Sequence, residues 1–234
     1  MLLKEVRSAG LIVAYVGLFF SVLMLIPWIT SELTGWEGGK SFLWSGLMAT
    51  IFCALVVIAC FGDQPKITPR FGILVVNMLW FLLPILCAIP LATSSANLRF
   101  VDALFEATSG LTTTGSTIMT DILSFDRPIL LWRALMQWVG GLGILSLGLI
   151  LLPFLRIGGM QLFKMESSDR SDKPLPRLVE ISRSIIIIYV ILSLACVVAY
   201  IFVGLTRFDA LTDGMTTDAT GCFSTHDESL GYYE

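Results

Sequence analysis

The sequence predicts an all-α membrane protein: a polytopic helical bundle carrying re-entrant pore loops within helix–pore-loop–helix repeats. Three observations lead there. Hydrophobic residues fill 56% and charged residues 14% of 234 positions, which excludes an ordinary soluble globule. The apolar residues are gathered into long runs. Two polar threonine–glycine segments, Thr112 to Thr117 and Thr216 to Thr225, follow such runs and read as the lining of a cation pathway.

Segments 9–29, 41–62, 71–92 and 184–205 contain no Asp, Glu, Lys, Arg or His. Each has the length a helix needs to cross a hydrocarbon layer of roughly 30 Å. Segment 128–155 is longer and has one charge, Arg133, near its start. A cation at the bilayer centre costs roughly 3 kcal/mol or more, so Arg133 either snorkels to the interface or faces protein. Lipid satisfies no backbone group, so each isolated span must be helical. Five spanning helices are therefore expected. The first is not read as a cleaved signal peptide, being too long and lacking an A-x-A-like site. In the third, Pro84 and Pro90 are expected to kink or end the helix. Asn77 there is expected to bond a neighbouring helix.

Basic residues alternate between loops. Lys4 and Arg7 precede the first span, and Lys66 and Arg70 follow the second. Arg156, Lys164, Arg170, Lys173, Arg177 and Arg183 follow the fourth. The other loops hold only Lys40, Arg99, Arg127 and Arg207. The positive-inside rule then places the N-terminus in the cytoplasm and both threonine–glycine segments on the outer side. Cys53, Cys60, Cys87 and Cys196 lie in spans and Cys222 stands alone, a pattern that argues against a disulfide framework or a metal site.

The chain divides into a leading two-helix unit at 1–62, a helix–pore-loop–helix repeat at 71–155, a cytoplasmic connector at 156–183, and a second repeat at 184–234 that stops after its pore loop. Asp102-Ala103-Leu104 leads to Thr112-Thr113-Thr114-Gly115, and Asp209-Ala210-Leu211 leads to Thr216-Thr217 and Thr220-Gly221. From aspartate to glycine the copies differ by one residue. Repeats of this kind mark pseudo-symmetric units around a shared site.

Asp102 can cap a helix start, and 102–112 is about 16 Å of helix, half a membrane. Irregular backbone at that depth must be buried in protein or line a watery cavity. A dehydrated monovalent cation needs oxygen ligands without a trapping charge. Backbone carbonyls of Thr113, Thr114 and Gly115, and of Ala219, Thr220 and Gly221, are the candidate ligands. Each short helix aims its partially negative end at them. In the fourth long run, Gly140, Gly141 and Gly143 invite close packing by a pore loop, or an ordinary helix contact. Arg133 and Gln137, one turn apart, hold a pore loop or simply anchor that helix. His226, the only histidine, has no partner cluster for metal or catalysis. Trp36, Trp44, Tyr232 and Tyr233 read as interfacial aromatics.

These residues carry a resemblance. Phe105-Glu106-Ala107-Thr108-Ser109-Gly110-Leu111-Thr112-Thr113-Thr114-Gly115 resembles the first pore loop of the Trk/Ktr/HKT superfamily of potassium transporters. Gln137 to Gly143 is similar to the hallmark of the helix that follows it. Met215-Thr216-Thr217, Thr220-Gly221 and Phe223-Ser224-Thr225-His226-Asp227 resemble its second pore loop. The resemblance spans the whole chain as the N-terminal half of a Trk-type uptake subunit.

It implies four repeats in pseudo-fourfold array, each giving one filter strand. It also implies potassium uptake, a homodimer, a cytoplasmic nucleotide-binding regulatory subunit and a bacterial inner membrane. Potassium is the expected transported substrate, membrane lipid the surroundings, and no other cofactor and no nucleic acid is expected. Two positions depart from the pattern. Asp218 stands where an uncharged residue is usual, and Cys222 where a second glycine is usual. Asp218 either bonds behind the filter or alters cation affinity. The alternative reading is a non-conducting membrane assembly subunit or fragment. A membrane enzyme is disfavoured, because four of the five spans carry no ionisable side chain for chemistry.

Overall fold

The structure, a computed structural model, describes residues 2–62, 68–151, 174–227 and 231. Among them every regular element is helical. The elements are α1 (Leu2–Leu23), α2 (Leu25–Thr34), α3 (Gly39–Cys60), α4 (Pro69–Thr93), α5 (Phe100–Leu111), a 3-10 turn at Ile122–Ser124, α6 (Arg127–Leu151), α7 (Pro174–Val203) and α8 (Arg207–Asp218). Five helical stretches among the described residues are long and apolar enough to cross a membrane. They are Lys4–Thr34, Gly39–Cys60, Arg70–Thr93, Arg127–Leu145 and Glu180–Val203.

The first span is broken only at Met24, where α1 passes into α2. Pro27 explains the break: it has no N–H for the Leu23 carbonyl, and its ring crowds that turn. Met24 N still donates to Phe20 O at 3.1 Å, so the path continues as a helix. In α4, where the prolines were expected to kink or end the helix, they do not end it. The helix runs through Pro84 and Pro90 to Thr93. Asn77 also departs from its expected role. Its Nδ2 donates to Ile73 O of the same helix at 2.8 Å and has no hydrogen bond to a neighbouring helix among the described residues. The helix of the second repeat begins at Pro174, so the last ten residues of the segment read as a connector are helical. Proline suits a first helical position, where no N–H is needed. Lys66, Arg156, Lys164, Arg170, Lys173, Tyr232 and Tyr233 lie outside the described residues.

α1 packs on α3 and α4, and α2 on α3 and α6. Small polar side chains tie these spans. Thr50 Oγ1 donates to Ser21 Oγ at 2.9 Å, and Ser45 and Thr93 hydroxyls lie 3.1 Å apart. α5 is held between α4 and α6, and α8 between α6 and α7. The core therefore gathers around α6. Trp132 is fully buried there, packs edge-on to Phe42, and donates Nε1–H to Cys87 O at 3.1 Å. By contrast α7 is the most exposed span, with Ile188, Ile191, Leu194 and Phe202 open.

Trp132→Phe removes one buried bond and some volume, whereas Trp132→Ala leaves a cavity. The alanine variant should lose about 3–5 kcal/mol and the phenylalanine variant clearly less, read as thermal melts in detergent.

Candidate cation filter

Two half-length helices, α5 and α8, have 12 residues each, about 18 Å. Each is followed by irregular chain, and the two ends are built alike. After α5, Thr113 N donates to Gly110 O and Thr114 N to Ser109 O, both at 3.0 Å. After α8, Thr220 N donates to Thr217 O at 2.9 Å and Gly221 N to Thr216 O at 2.8 Å. This is the Schellman pattern, whose turning residue is left-handed and usually glycine. Here that residue is threonine both times: Thr113 at φ 56° and Thr220 at φ 52°.

These bonds fix the register between the copies. Asp102 corresponds to Asp209, Glu106 to Asp213, Thr113 to Thr220 and Gly115 to Cys222, at one constant spacing. The one-residue difference read from the sequence is thus corrected. It arose from pairing Gly115 with Gly221, whereas the turn geometry pairs Thr114 with Gly221. Ala219 then corresponds to Thr112, the residue that caps α5.

The two irregular strands meet side by side. A methyl group on Gly115 would lie 2.5 Å from Cys222 Cβ and 2.8 Å from Cys222 N. Gly115 also has φ 77°, so both space and backbone require glycine. The first strand is tied to its own helix, where Ser109 Oγ donates to Ser116 O at 2.6 Å. The second is tied by Thr225 Oγ1, which donates to Asp209 Oδ1 at 2.8 Å. His226 packs there through Thr225, with Nδ1 and the hydroxyl 3.0 Å apart. No cluster of metal-binding side chains occurs among the described residues.

Behind the strands stands α6. Arg133 is 1% exposed and does not snorkel. Its Nη2 lies 2.7 Å from Glu106 Oε1, and its Nε donates to the same oxygen at 2.8 Å. Nη2 also donates to Thr117 Oγ1 at 3.1 Å. Glu106 accepts in turn from the Thr117 hydroxyl at 2.8 Å and the Ile118 amide at 3.2 Å. The other strand is held by the same guanidinium, 4.1 Å above the Phe223 ring. One turn on, Gln137 Oε1 accepts from Phe223 N at 3.3 Å. Gln137 also packs so closely on Gly221 that a side chain there would overlap it.

The glycines of α6 divide. A methyl on Gly140 would overlap the Leu111 carbonyl, 2.8 Å from its carbon. One on Gly141 would lie 3.2 Å from Ala219 Cα and 2.9 Å from the Tyr189 hydroxyl. The end of each half-helix thus rests on one glycine. Gly143, expected to take a close contact, has nothing within 4 Å among the described residues. Asp218 turns away from the strands: Ser193 Oγ donates to its Oδ2 at 2.5 Å. Ser193 also receives Trp138 Nε1–H at 2.8 Å. Of the two sequence readings for Asp218, the bond behind the strand is present. Glu106, Phe223 and Ser193 were not singled out from sequence. For Glu106 a signal existed: an acid in the middle of a half-helix whose other charge, Asp102, lies in the first turn.

This geometry stands beside known proteins. The family model for TrkH, cation transport protein, matches residues 39–234. The chain belongs to the TrkH family. The Trk system potassium uptake protein TrkH of Escherichia coli K12 is 36% identical over 231 residues, covering 97% of this chain and 48% of the relative. TrkG of the same strain is 39% identical over 194 residues, covering 78% of this chain and 40% of the relative. The crystal structure of the potassium transporter TrkH from Vibrio parahaemolyticus superposes with a TM-score of 0.82 at 32% identity, over 99% of this chain and 46% of that one. The chain spans about half the length of the curated relatives it matches.

The ion pair behind the strands should show strong coupling. Glu106→Gln or Arg133→Gln alone strands a buried charge and should cost about 3–5 kcal/mol. The double variant should lose much less than the sum, as measured by unfolding in detergent. Additive losses would mean that the two groups stabilise the fold independently.

Proposed function

We propose that the chain forms part of a potassium uptake pathway whose selectivity filter is lined by backbone carbonyls of the two threonine–glycine strands. The observation that carries this reading is the meeting of the two strands at Gly115 and Cys222, each strand leaving the end of a half-length helix. The relatives, a potassium uptake protein and a potassium transporter by name, point to the ion.

The chemistry suits potassium. The ion sheds water if enough oxygens replace it, and neutral carbonyls do so without trapping it. Carbonyls of Thr113, Thr114 and Gly115 serve on the first strand. On the second, the corrected register assigns Thr220, Gly221 and Cys222, and Ala219 becomes the cap. The ends of α5 and α8 add partial negative charge. Arg133 and Gln137 act as positioning residues, fixing the distance between strands that ion size demands. Gly140 and Gly141 let the half-helices seat against α6.

The membrane potential drives entry by roughly 2.3 kcal/mol per charge per 100 mV, so no enzymatic cycle is needed. The two described strands form half of a fourfold ring, and the rest of the subunit supplies the others. The same reading places the protein in a bacterial inner membrane, with the N-terminus in the cytoplasm and the strands outside. It assembles as a homodimer with a cytoplasmic nucleotide-binding regulatory subunit.

Gly115→Ser tests the filter. In the full-length protein, reconstituted in proteoliposomes, potassium over sodium preference should fall at least about tenfold, since roughly 1.4 kcal/mol of misfit suffices. An unchanged preference would exclude Gly115 from the filter.

A further inference from the structure

The two strands are supported differently. Glu106 and Asp213 occupy the same place in their repeats. Glu106 receives Arg133, the Thr117 hydroxyl and the Ile118 amide. Asp213 is 3% exposed, and neither of its carboxylate oxygens has a hydrogen bond among the described residues. The groups that face it are the Ser224 hydroxyl and the Thr225 amide, counterparts of Thr117 and Ile118. They stand near it without reaching bonding geometry. The charge beside it, Asp209, has the same sign.

A buried acceptor left bare is destabilising, and more so when charged. Next to Asp213 lies a void of about 10 Å³, lined in part by Asp213, Arg133, Thr212, Thr216, Ser224 and Thr225. A buried water needs about that much room and two to four polar partners. The carboxylate and the neighbouring hydroxyls provide them. Leu130, Ala134 and Phe223 close the other side with apolar surface.

We infer that one ordered water occupies this void and joins Asp213 to Ser224, holding the second strand as Arg133 holds the first. The water donates to the carboxylate and accepts from the Ser224 hydroxyl. Its presence follows from the void and the bare carboxylate. Its effect on selectivity rests on the filter reading above. A neutral water leaves the charge of Asp213 in place. The first strand is then backed by a neutralised pair, and the second by an uncancelled negative charge.

Two measurements on the full-length protein test this. In a map resolving ordered waters, a peak should lie about 2.7–3.0 Å from both an Asp213 oxygen and Ser224 Oγ. An empty void overturns the inference. So does anomalous signal at that spot after exchange of potassium for rubidium, which would make the occupant a cation. In proteoliposomes, Asp213→Leu should lower potassium over sodium preference about tenfold, the scale of one lost buried hydrogen-bonded group. Asp213→Asn, which still bonds a water, should recover most of it. Equal losses in both variants overturn the water bridge in favour of charge alone. Should the wild-type protein show no potassium preference, the filter reading fails, and the map still decides whether the water is there.

Discussion

Everything near the strands is arranged around the buried contact of Arg133 with Glu106. A guanidinium and a carboxylate at membrane depth are each expensive to bring from water. They are tolerable together because two nitrogens of one reach a single oxygen of the other, and Thr117 and Ile118 satisfy much of what remains. The same cation covers Phe223 on the other strand. A single side chain of α6 thereby sets where both strands lie. Removal of that charge would leave Glu106 without a counterion and Phe223 without its cap. The rest of the helix serves this placement. Trp132, one residue earlier, binds α6 to α4, and the glycines two turns later accept the half-helix ends.

The spans were legible because hydrocarbon imposes a length and a composition that few other environments ask for. The half-helices were legible for a related reason: a stretch too short to cross, ending in threonine and glycine. The cap was misread: α5 begins at Phe100, and Asp102 lies in its first turn, paired with Arg99. The register between repeats was misread. Gly115 was paired with Gly221, yet the left-handed residue that closes each half-helix is Thr113 in one copy and Thr220 in the other. Only the hydrogen bonds at the helix ends align the copies. Of the two outcomes read for the prolines of α4, kink or end, the ending does not occur, because the helix continues past both rings. Arg133 was left open between lipid interface and protein, because its partner Glu106 lies on a different element. Pairing across elements has no signature in spacing along the chain.

The repeats are alike in backbone and unlike in their polar surroundings. Leu111 ends the first half-helix, while Asp218 ends the second and needs Ser193 and Trp138 behind it. Gly115 on one strand faces Cys222 on the other, so the pairing is one of small with larger. The buried Gln137 Nε2 and both oxygens of Asp213 lack bonds among the described residues, and all three adjoin the second strand. Its supports are therefore the less complete.

The left-handed threonines have an energetic consequence. A branched residue in that conformation lies roughly 1–2 kcal/mol above its relaxed state. Thr113 and Thr220, at φ 56° and φ 52°, stay there because the helix ends hold the residues after them, Thr114 N on Ser109 O and Gly221 N on Thr216 O. Strain is thus stored at the same place in both repeats, where each half-helix gives way to its strand.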